Sequence, residues 1–71
     1  MSKLIVRFGK RVKELRNSLG ITQEELAERA ELSKDYIGLI ERGLRSPSLQ
    51  TIQKIATSLK VSILSLFEKI E

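Results

Sequence analysis

Histidine and cysteine are both absent from the 71 residues, which removes the commonest general base, the thiolate nucleophile and the usual zinc ligands together. No catalytic residue, metal or cofactor is expected, and the chain does not read as an enzyme. The chemistry that remains is hydrogen bonding and charge, and it is concentrated between Gln23 and Arg45. That stretch holds Gln23, Ser33, Lys34, Asp35, Tyr36, Leu39, Arg42 and Arg45. A lysine can donate to guanine O6 or N7, an aspartate can accept from cytosine N4, and a leucine can touch a thymine methyl. Arginines in a loop can reach phosphates or the edge of a groove. Such a set is suited to hydrogen bonding with nucleic acid rather than to making or breaking bonds. Thirteen Lys and Arg against nine Asp and Glu, a formal charge of +4, favour the same anionic partner.

A chain of 71 residues is one domain, here 1–71, and at that size folding removes only about 60% of the unfolded surface from water. Its core is expected to be thin. The charge is uneven: residues 1–20 carry six Lys or Arg against Glu14 alone, whereas Glu24, Glu25, Glu28 and Glu31 cluster around Arg29. One face should be basic and another acidic. No apolar run approaches the roughly 20 residues of a membrane helix, and the start lacks a secretory apolar stretch. No membrane association is expected, and a cytoplasmic location is.

The elements that must position these side chains are helices. Ile5, Phe8, Val12, Leu15 and Leu19 recur at helical spacing before Gly20 stops the run. Thr22 followed by Glu25 has the spacing of a capping box, and Leu26, Ala27 and Ala30 supply the buried side of a second helix to about residue 30. Three residues, Glu31 to Ser33, turn the chain into a third helix capped by Ser33, with Tyr36 or Ile37 buried beside Ile40 and an end at Gly43. Gly38 lies outside the Ile37 and Ile40 pair and costs about 1 kcal/mol against alanine in mid-helix, so close approach of a backbone is expected there. Ser48, after Pro47, caps a fourth helix carrying Leu49, Ile52, Ile55, Ala56 and Leu59, and Val61 then enters the core. Ser62 caps a last helix over about 62–70. No stretch alternates as a strand does. The expectation is an all-α, compact five-helix domain.

Two short helices joined by a three-residue turn can lay the second of them in a DNA major groove. The words along the chain are more specific: Leu15-Arg16, Leu19-Gly20-Ile21-Thr22-Gln23-Glu24-Glu25-Leu26-Ala27, Leu32-Ser33, Ile40-Glu41-Arg42-Gly43, Arg45-Ser46-Pro47-Ser48-Leu49 and Val61-Ser62. This pattern resembles the phage-repressor-like helix-turn-helix family of the Cro and cI type over nearly the whole chain. The resemblance implies a lambda-repressor-like fold and sequence-specific binding to double-stranded DNA by a transcriptional regulator. It also implies that Gln23 clamps the DNA backbone, that the Arg42 and Arg45 loop contacts DNA, and that Arg16 and Glu41 form a partly buried structural ion pair. Gln23 lies in a helix first turn, where free N–H groups already favour a phosphate. Tyr36 has two readings, toward the groove or packed against the second helix. Lys10, Arg11 and Lys13 read as diffuse basic field, and Lys60 and Lys69 as solvated charges.

The segment from Lys34 to Arg45 is similar to the controller proteins of restriction-modification systems, small dimers that activate or repress. A short phage, plasmid or antitoxin-type repressor shares most of these words, and a helical protein-interaction module without DNA binding is a further alternative. A chain ending one helix after the DNA-binding unit leaves no room for a small-molecule-sensing domain. Glu24, Glu25 and Glu28 either favour the helix dipole or offer an acidic patch to RNA polymerase. Ile63, Leu64, Leu66, Phe67 and Ile70 make the last helix apolar over more than one stripe. The resemblance sends Ile63, Leu66 and Phe67 mainly inward. Leu64 and Ile70, with Phe67 at their edge, are then left to form a homodimer interface over a palindromic operator.

Overall fold

A computed structural model describes residues 3–68, which form five α-helices and no strand. They are α1 (Lys3–Leu19), α2 (Gln23–Ala30), α3 (Lys34–Glu41), α4 (Leu49–Ser58) and α5 (Ile63–Leu66). The reason for the number of helices is local. Thr22, Ser33, Ser48 and Ser62 each precede a helix in extended backbone, and each side-chain oxygen accepts from the N–H three residues on. A cap of this kind contributes about 1 kcal/mol. Gly20 (φ 75°) ends α1, while Glu31 (φ 58°) and Lys60 (φ 60°) close α2 and α4 in the left-handed region without being glycine.

The capping box of α2 is complete: Glu25 N donates to Thr22 Oγ1 at 3.0 Å, and Thr22 N donates to Glu25 Oε1 at 2.9 Å. The Thr22 backbone N–H foremost, then its hydroxyl, hold the Glu25 carboxyl below the usual carboxylate range. A carboxyl that titrates lower when folded contributes its stability above the unfolded value and loses it as pH falls through the folded one. Stability of the unchanged chain should therefore drop more steeply on acidification than that of Glu25→Gln. Urea midpoints across the acid range test this, and parallel profiles would remove the box from the pH response.

Every helix contributes a fully buried side chain: Val12, Leu26, Ile37 and Ile40, Ile55, and Leu66. Burial of each is worth about 1.5–3 kcal/mol. α3 packs against both α1 and α2, α2 against α4, and α5 against α1 and α4. Two glycines permit the close contacts of α1. A Cβ on Gly9 would stand 2.2 Å from the Ile40 carbonyl oxygen, so the α1 backbone lies directly on the last turn of α3. At Gly43 (φ 74°) a Cβ would stand 2.9 Å from Val6 Cα.

The structure departs from the sequence expectations in several places. Leu19 and Leu49 share the periodicity of their helices, yet both are exposed, Leu49 by 81%; periodicity marks a face but not whether a neighbour covers it. The last helix ends at Leu66, with Phe67 leaving helical backbone and packing its ring, tilted by 31°, against Phe8 at a centroid distance of 5.3 Å. Ile63 is exposed, not mainly inward, whereas Leu66 is fully buried. Tyr36 is half-buried against the core. Lys69 and Ile70 lie outside the described residues. Among the described residues no helix is long and apolar enough to cross a membrane.

Candidate nucleic-acid interface

The first turn of α3 projects from the core because Ile37 and Ile40 bury its opposite side. Lys34 and Asp35 are exposed there, and Leu39 is half-buried one turn further on. Ser33 Oγ accepts from Tyr36 N at 3.1 Å, which fixes where this turn begins. At the other end of α3, the exposed Arg42 folds back so that its Nε donates to the Gly38 carbonyl at 3.1 Å. Arg45 is exposed in the connection that follows.

Gln23, at the start of α2, faces the same region. Its Nε2 donates to Glu41 Oε1 at 3.0 Å. Glu41 in turn receives both arms of Arg16, from Nε to Oε2 at 2.7 Å and from Nη2 to Oε1 at 3.2 Å. Arg16 Nη1 donates to the Ile21 carbonyl at 2.8 Å. The guanidinium and carboxylate are thus paired fork to fork, a geometry that adds direction to the Coulomb attraction. Arg16 and Glu41 are only 8% and 6% exposed. No buried side-chain nitrogen or oxygen among the described residues lacks a partner, so the desolvation cost of this pair is offset by hydrogen bonds. The network joins α1, the turn before α2, Gln23 and the end of α3.

Gly38 is buried, contrary to its outward placement in the sequence pattern. It lies beneath two candidate DNA-contacting side chains: a Cβ there would be 3.7 Å from Gln23 Oε1 and 3.9 Å from Arg42 Nη2. These are ordinary contact distances to side chains, whereas within this chain a neighbouring backbone does approach Gly9 closely. A glycine within the first helix was the signal available for it. Sequence reasoning also missed the Gln23 to Glu41 hydrogen bond, which no local pattern announces, and the role of Arg11. Arg11 is not part of a diffuse field, because its Nε donates to the Ser65 carbonyl at 3.0 Å.

The structure brings Gln23 and Arg42 together over Gly38; Ser33, Lys34, Asp35 and Arg45 are exposed, and Tyr36 and Leu39 are half-buried. Residues 12–66 match a family model described as helix-turn-helix. The transcriptional regulator SinR of Bacillus subtilis is 39% identical over 63 residues, 87% of this chain and 57% of SinR; the chain thus spans little more than half of that relative. Among solved structures, the restriction-modification controller protein C.AhdI from Aeromonas hydrophila is 44% identical, with a TM-score of 0.87 over 89% of this chain and 96% of that one. The controller protein C.Esp1396I, solved as a tetramer in complex with its natural 35 base-pair operator, is 33% identical with a TM-score of 0.90 over 99% of this chain and 92% of that one. The matched residues include α2 to α5, the second half of α1 and the network that ties α1, α2 and α3 together, and the chain belongs to the helix-turn-helix family of DNA-binding transcriptional regulators.

Proposed function

We propose that this protein is a sequence-specific DNA-binding regulator that acts as a homodimer on a palindromic operator and controls restriction-modification genes. The observation that carries the DNA reading is the exposed first turn of α3, with Lys34 and Asp35 outward, and Gln23 held at the other end of the same helix by Glu41. Similarity to C.AhdI over 96% of that chain supports the controller role. Lys34, Asp35 and Leu39 read base edges, while Gln23, Ser33, Arg42 and Arg45 hold the phosphate backbone and Tyr36 supports the helix from its inner edge. Leu64, Phe67 and Ile70 join two copies, an arrangement favoured by the 79% exposure of Leu64 beside the exposed Ile63 and Phe67, with only Leu66 of this helix buried. Glu24 and Glu28 remain exposed on α2 for RNA polymerase, whereas Glu25 is engaged in the cap. The chain acts in the cytoplasm, where its operator is.

The test is a binding site selected from random duplexes, followed by alanine substitution. Lys34→Ala and Asp35→Ala should cost about 1–3 kcal/mol on the selected site while sparing random DNA, and Gln23→Ala, Arg42→Ala and Arg45→Ala should weaken both. Equal losses on selected and random DNA for all five would falsify the division between base reading and backbone contact.

A further inference from the structure

We infer that Arg11 is a positioning residue that fixes the α5 surface in register with the recognition helix, and so sets the half-site spacing that the dimer accepts. The inference rests on the proposal that the α5 face joins two copies. α5 has only four residues, far below the length at which a helix holds itself together in water. Its geometry therefore comes from docking. Leu66, fully buried, and Phe67, its ring against that of Phe8 at 5.3 Å, supply apolar attraction. Contacts of that kind fix how deep the segment sits but have little direction.

Arg11 supplies the direction. Its Nε donates to the Ser65 carbonyl at 3.0 Å, its Nη1 pairs with Glu14 on α1, and its Nη2 stands 3.8 Å from Glu68 Oε2. The side chain is only 11% exposed, so this charge is largely out of water and depends on these acceptors. Five positions further along the same helix, Arg16 holds Glu41 at the end of α3. One 17-residue helix thus grips the pairing segment with one arginine and the recognition helix with another. The distance between two recognition helices in a dimer is transmitted through α1. When the Arg11 grip is lost, Ile63, Leu64 and Phe67 still form an apolar surface, but its angle to α3 is no longer held.

The experiment compares Arg11→Met, which keeps an unbranched stem and removes every donor, with Arg11→Lys and with Leu64→Glu as the control for the interface itself. Dimer dissociation is measured by sedimentation, and DNA binding by anisotropy on a selected half-site and on full sites whose spacer is lengthened or shortened by one or two base pairs. Arg11→Met should weaken dimerisation about tenfold, the scale of a charged hydrogen bond lost, and flatten the dependence on spacer length. Its half-site affinity should stay within about twofold of the unchanged chain. A purely structural role would lower the melting temperature and leave the spacer preference intact. Arg11→Lys should restore part of the affinity, because one ammonium cannot span the carbonyl and both carboxylates. It also stands in for Arg11→Met if that variant does not fold, with a weakened dimer expected. A folded Arg11 variant that dimerises and discriminates spacers as the unchanged chain does overturns the inference. If Leu64→Glu also remains dimeric, the α5 interface itself is wrong; if Leu64→Glu is monomeric, only the role of Arg11 is.

Discussion

Glu41→Ala should remove about 3–5 kcal/mol of folding stability, because it strands the Arg16 guanidinium in a site that is 8% exposed and leaves it only the Ile21 carbonyl. A domain of this size has roughly 0.05–0.15 kcal/mol per residue to lose. The variant should therefore sit close to its unfolding threshold. Arg16→Ala should be comparably costly, since it leaves the carboxylate of Glu41 with the Gln23 amide alone. Urea denaturation of both single variants and of the double variant measures the coupling, which should exceed about 1 kcal/mol. Exposed ion pairs give only about 0.2–1 kcal/mol. A coupling near zero that salt does not change would mean the two charges act independently. The consequence reaches function through Gln23: where a variant stays folded, weakened binding to selected and random DNA alike is the expected signature of a backbone-contacting amide set loose.

Gly9→Ala should be destabilising by at least about 2 kcal/mol, within the range for overpacking a tight contact, although the same change in an open helix gains about 1 kcal/mol. The added Cβ would stand 2.2 Å from the Ile40 carbonyl oxygen and 2.8 Å from that of Glu41. Both are backbone atoms at the end of α3, and neither can turn aside as a flexible side chain does. Either α1 lifts away from α3 or the last turn of α3 unwinds. Gly38→Ala is the internal comparison, because its nearest neighbour would be the Gln23 side chain at 3.7 Å; it should be neutral or stabilising by up to about 1 kcal/mol. Denaturation midpoints for the pair decide the matter. A Gly9→Ala chain as stable as the unchanged one would show that α1 and α3 do not meet as closely as described.

Both effects belong to contacts between α1 and α3, which explains how differently they could be read from the chain. The four serine and threonine caps were legible because each closes within three residues of itself, and backbone hydrogen bonds at a helix start are satisfied locally. The five-helix order followed from those caps and from apolar spacing. The Arg16 and Glu41 pair came only from the family pattern, since nothing in the spacing of residues 25 apart announces a contact.

By itself the sequence determined where helices begin, which faces are apolar, and that Lys34 and Asp35 open the third helix, since these depend on neighbours within a turn or two. Only the tertiary structure decided that Leu49 has no cover and that Tyr36 leans on the core. It alone decided that Gly9 rather than Gly38 meets a backbone, that Gln23 is held by Glu41 18 residues away, and that Arg11 grips Ser65 across 54 residues. The physical reason is common to all of these. A periodic pattern specifies the direction a side chain faces, whereas burial, crowding and a hydrogen-bond partner depend on what another segment places opposite it.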